Sequence, residues 1–86
     1  MPEVSRFFGI VIFMYYDDHN PPHFHVRYGE SKAIIGIKSL NILRGQLGKR
    51  ACKKVMDWAE INRSALAKNW ELARGYKPLI SIKPLE

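Results

Sequence analysis

Cysteine is almost absent: Cys52 stands alone among 86 residues. No disulfide can form within the chain, and a reducing, cytoplasmic setting is the expectation. Acidic residues are scarce as well, eight against fourteen Lys and Arg, for a net charge of +6. A surplus of that size on a small surface draws polyanions, which means nucleic acid or an acidic protein. Long apolar runs are missing. The stretch from Phe7 to Tyr16 falls well short of the roughly 20 residues a membrane-spanning helix needs, and no small-residue cleavage site follows it, so no membrane role is expected. Repeats, linkers and low-complexity segments are also lacking, and a chain of this length supports one core. Residues 1–86 are therefore assigned to a single domain.

What is present suits an α+β domain. Gly9 to Tyr16 is β-branched and aromatic without alternation, as expected of a central strand covered on both faces. Asp17-Asp18-His19-Asn20-Pro21-Pro22 is turn chemistry, because Asp and Asn bond nearby backbone while two prolines fix φ and donate nothing to a ladder. From His23 the pattern alternates: Phe24, Val26 and Tyr28 on one face, His23, His25 and Arg27 on the other. Gly29-Glu30 is a turn, Lys32 to Lys38 a further strand and Leu40 to Leu43 a short fourth. The expectation is an antiparallel sheet of three to four strands over residues 4–44.

After Gly48 the period becomes helical. Cys52, Val55, Met56, Ala59, Leu66, Trp70 and Ala73 make one apolar stripe; Trp58, Ile61, Ala65 and Leu72 make a second, available to another copy of the chain. A continuous helix to Arg74 would be roughly 39 Å long at 1.5 Å per residue, longer than a domain this size is wide. One long helix docked on a second subunit and two consecutive helices, broken near Asn62-Arg63-Ser64 with Asn62 or Ser64 as a cap, both fit residues 48–74. Trp58 and Trp70 lie on different stripes, so at least one is a candidate interface anchor. In the tail, residues 76–86, Leu79 to Ile82 alternate as a short edge strand would between Pro78 and Pro84.

All three histidines fall within seven residues, His19, His23 and His25, with the last two on one strand face about 6.5 to 7 Å apart. Three readings compete. His19, His23 and His25 can ligate a zinc-type metal, with Asp17, Asp18 or Glu30 completing the shell. Alternatively, paired imidazoles with Arg27 can run general acid and base chemistry on RNA without a metal. The third reading is structural, with Asp18, Asn20 and the prolines shaping a turn and the histidines hydrogen-bonding along the sheet.

A second constellation is basic: Arg44, Lys49, Arg50, Lys53 and Lys54 cluster around the helix start. Cations there oppose the helix dipole, whereas an anion would meet free N–H groups as well as Lys49 and Arg50. These five are the candidate anion or nucleic-acid contacts. The alternative is a solvated surface with no partner.

The opening R-F-F-G-I-V-I-F-M-Y-Y, the segment D-D-H-N-P-P-H-F-H-V-R-Y-G-E, and the helical D-W-A-E-I and N-W-E-L-A-R together resemble a family of small prokaryotic proteins, the domain of unknown function DUF4160. The most specific part is His19, Pro21, Pro22, His23, Phe24, His25 and Val26. Membership implies a small cognate partner in what looks like a toxin–antitoxin pair, and no established reaction. One departure is Gly48, where the family's pattern leads one to expect proline. The function expected is a toxin-like component acting on nucleic acid or the translation machinery through His19, His23, His25 and Arg27. Its rivals are a non-catalytic basic binding module and a histidine-ligated metal protein.

Overall fold

Inside the apolar run the chain doubles back. Phe8 and Gly9 both have positive φ, 51° and 79°, the signature of a type I′ hairpin. In the computed structural model, which describes residues 2–86, this turn separates β1 (Glu3–Phe7) from β2 (Ile10–Phe13). The stretch read as one strand therefore supplies the second half of a hairpin. β2 is nonetheless buried along its whole length, as its lack of alternation implies. Three more strands follow, β3 (His23–Tyr28), β4 (Ser31–Gly36) and β5 (Ile42–Gly45). Every neighbouring pair is antiparallel, in the order β1-β2-β3-β4-β5. The sheet has five strands where three or four were expected, and β3, not the apolar run, is central.

The fourth strand expected at Leu40–Leu43 lies further along, because residues 37–41 close a turn through Leu40 N–H to Gly36 O and Gly36 N–H to Asn41 O. At Gly45 (φ 78°), a Cβ would stand 2.2 Å from the Lys32 carbonyl oxygen. Only glycine lets β5 pass β4 there.

The helical region divides into α1 (Lys49–Ile61) and α2 (Arg63–Arg74), with Asn62 between them. Asn62 occupies the cap position but does not cap α2 with its side chain; its Nδ2 donates back to Trp58 O at 2.9 Å. The break turns most of the first stripe inward together with Trp58 of the second, while Ile61 stays 76% exposed and Ala65 and Leu72 half-buried. Trp58 and Trp70 are consequently core residues, 1% and 4% exposed, and neither is left as a surface anchor. They pack with Val55, Ala59 and Leu66 against Phe7, Ile10, Ile12, Phe24, Val26 and Ile35. Truncating a ring in such a core, Phe24 for instance, costs about 3 to 5 kcal/mol.

The tail forms no strand. Its one ladder-like bond is Ile82 N–H to Val4 O, at 2.9 Å, and Pro78 and Pro84 have no N–H of their own to give a ladder. Side chains hold it instead: buried Asn69 accepts from Ile80 N–H and donates to Ile80 O, both at 2.8 Å, and Trp58 Nε1–H donates to Lys83 O. Among the described residues no helix is long and apolar enough to cross a membrane.

With both helices on one face of the sheet, cross-strand register arranges the other. Arg6, Val11, Arg27 and Lys32 form one row across four strands, and Phe13, His25, Ile34 and Arg44 form the next. Side chains directly opposite one another share a face. This face carries the candidate site.

Candidate functional site

The loop from β2 to β3 is pinned at both ends. Asp17 N–H donates to Ala73 O near the end of α2, and Ile37 N–H, just past β4, donates to Pro22 O. Between these anchors the Asn20–Pro21 peptide is cis. The loop brings Asp18 over the start of β3, where its Oδ2 lies 2.9 Å from His23 Nε2 and 3.0 Å from His25 Nε2. The alternation of β3 is as read from sequence: Phe24 and Val26 enter the core while His23 and His25 share the other face.

Each member of the cluster is also held from behind. Asp18 Oδ1 accepts the His19 backbone N–H at 2.8 Å. His23 Nδ1 stands 2.7 Å from the Pro21 carbonyl oxygen, which can only accept, so that nitrogen carries a hydrogen. The His23 ring, buried, rests on Trp70 at 5.1 Å between centroids. His25 is stacked on Phe13 (5.2 Å, 17°) and meets the edge of Tyr15 at 4.7 Å. Partial burial by itself raises the Asp18 pKa, but the hydrogen bonds from His25 and from the His19 N–H, with the charge and hydrogen bond of His23, outweigh it and hold the carboxyl below its ordinary value. Asp18 is thus kept as a carboxylate.

His25 faces two ways, because it also lines a groove of about 250 Å³ on the outer sheet face with Phe13, Tyr15, Arg27, Lys32, Ile34 and Arg44. Three cations and an exposed tyrosine border the cluster. Residues 9–71 match the family described as "Domain of unknown function (DUF4160)". The chain belongs to the DUF4160 family. No curated protein and no solved structure matches it. The DUF4160 span takes in every residue of the cluster and groove named above.

Of the candidate residues, the fold brings His23, His25 and Arg27 together and adds Arg44. His19 is exposed, and within this DUF4160 site it contributes its backbone N–H rather than its ring to the cluster. The other basic residues lie elsewhere: Arg50, Lys53 and Lys54 line a separate cavity of about 630 Å³ with Phe8 and Tyr28. There Lys53 pairs with Asp57 at 3.2 Å and Lys54 sits 5.0 Å above the Phe8 ring. Lys49 opens α1, whose first turn has no acidic residue and whose Gly48 cap offers no side-chain bond.

The hub Asp18 was read from sequence only as a turn residue or an optional ligand, and Lys32 and Phe13 were not singled out. The spacing D-x4-H-x-H across a Pro-Pro turn was a usable signal, since a reversal there returns the acid to the face both histidines share. Lys32 was legible only through its pairing with Arg27.

Proposed function

We propose that this DUF4160 protein is the toxin-like member of a bacterial two-protein module and acts in the cytoplasm on RNA. The observation that carries this reading is His25, which belongs at once to the Asp18–His23–His25 cluster and to the groove of Arg27, Lys32 and Arg44. Cations spaced along a groove hold a phosphate backbone, and Tyr15, 45% exposed at its wall, offers a ring on which a base can stack. The reaction supported is phosphodiester cleavage. The 2′-hydroxyl oxygen attacks phosphorus, a basic group of the cluster takes its proton, and the 5′ oxygen leaves with a proton from water. Arg27 stabilises the charge that builds on the phosphate oxygens.

Induction of the protein alone in a bacterial host tests this. Wild type is expected to arrest growth, and His25→Ala and Arg27→Ala, at equal soluble yield, to relieve the arrest. No growth effect from the wild type in the absence of any partner would overturn the toxin reading. A second reading, a non-catalytic module for an acidic protein partner, is favoured by the separate cavity where Arg50, Lys53 and Lys54 surround Phe8 and Tyr28. It takes precedence if wild type binds nucleic acid or a partner without harming growth.

A further inference from the structure

We infer that Asp18, His23 and His25 form a binding site for one divalent first-row transition ion, of the zinc to manganese class. The first ground is the tautomer of His23. Its Nδ1–H is committed to the Pro21 carbonyl, so Nε2 is the ring nitrogen left to take a ligand, and it points at a carboxylate oxygen 2.9 Å away. Two electron-rich atoms so close require a cation between or on them. A second proton on His23 would serve that pair alone. A metal ion serves all three donors, which lie within 4.8 Å of one another.

The second ground is how the donors are supported. Metal-binding imidazoles usually donate their other N–H to a carbonyl or carboxylate, and ligating carboxylates are hydrogen-bonded in turn. Here Pro21 O holds His23 and the His19 N–H holds Asp18. Trp70 walls the His23 ring, while Phe13 and Tyr15 fix the plane of His25. The third ground is spacing. Two bonds of about 2.1 Å put their ligand atoms about 3.0 Å apart at the right angle of an octahedral ion and about 3.4 Å apart at the tetrahedral angle of zinc; Asp18 Oδ2, 2.9 and 3.0 Å from the two nitrogens, matches the first and reaches the second by a shift of under half an ångström. Two imidazoles and one carboxylate suit borderline ions, and three protein ligands leave positions open, as in sites that bind substrate rather than sites that staple a fold. Where the RNA reading above holds, such an ion would supply Lewis-acid stabilisation to a phosphate oxygen in the groove beside His25.

The test reads ion binding alone, so it can fail while the RNA reading stands, and the reverse. Untagged protein is stripped with chelator, dialysed and titrated calorimetrically with zinc chloride. One equivalent is expected to bind. Asp18→Ala and His25→Ala should weaken binding by more than the roughly 10- to 100-fold that loss of a supporting contact causes, and His19→Ala should leave it unchanged. For variants that do not fold, the wild type gives the answer by NMR: zinc should shift the ring signals of His23 and His25 but not those of His19. No saturable binding, or equal binding by folded Asp18→Ala, would overturn the site and leave Asp18, His23 and His25 as a hydrogen-bonded cluster that only shapes the loop.

Discussion

At Asp18, one carboxylate oxygen completes a turn while the other meets two imidazoles. Its neighbour Asp17 does something similar at the opposite rim of the loop. The Asp17 carboxylate accepts a hydrogen bond from the Tyr76 hydroxyl, which, with some burial and the nearby negative charge, raises the phenol above its ordinary value of 10.0. A raised folded-state pKa means the fold favours the protonated phenol. The associated stability is therefore complete below the unfolded pKa and lost as pH rises through the folded one. In an ultraviolet titration Tyr76 should ionise above the ordinary phenol value, and Asp17→Asn should return it to the ordinary range; a curve unchanged by Asp17→Asn would count against the pair. Much of the site at this scale was legible. Alternation alone placed His23, His25 and Arg27 on one face, because a strand allows no other phase. The role of Asp18 was not, because it depends on where a loop pinned to α2 returns.

Among the elements, the tail is the part most dependent on a single side chain. Asn69, 1% exposed, pairs both backbone groups of Ile80. Asn69→Ala leaves both without a partner, at about 1 to 3 kcal/mol each, so a loss of about 2 to 6 kcal/mol is expected in chemical denaturation, together with faster proteolysis of residues 77–86. Wild-type values on both counts would show that the clamp contributes nothing. Sequence periodicity found the helical region and offered a break near Asn62-Arg63-Ser64 as one of two ways to fit a stretch too long for the domain; the fold takes that one, at Asn62. It missed the Phe8–Gly9 hairpin, since Phe8 adopts a left-handed conformation that aromatic residues seldom take, and nothing local announces it. That omission accounts for the extra strand. It also explains why the apolar run looked central: β2 is covered on one face by the helices and on the other by the side chains bordering Val11 and Phe13.

For the molecule as a whole, the net charge of +6 is divided between faces. Arg27, Lys32 and Arg44 lie on the sheet face beside the cluster, and Arg50, Lys53 and Lys54 lie around the other cavity. Composition raised the expectation of an anionic partner and was silent on this division, which only register and the helix break create. The division supplies an internal control, since substitutions at either cavity remove equal charge. The measurement that bears most directly on the RNA reading is therefore an assay of end-labelled single-stranded RNA over a range of salt concentrations, comparing wild type, His25→Ala, Arg27→Ala and Lys54→Ala. Wild type should bind and cleave. His25→Ala should bind with an unchanged salt slope and fail to cleave, and Arg27→Ala should lower the slope by about 0.7, the share of one phosphate contact. Lys54→Ala should match wild type in cleavage. Cleavage by His25→Ala at the wild-type rate, or no RNA binding by the wild type at low salt, would contradict a site built on Asp18, His23 and His25.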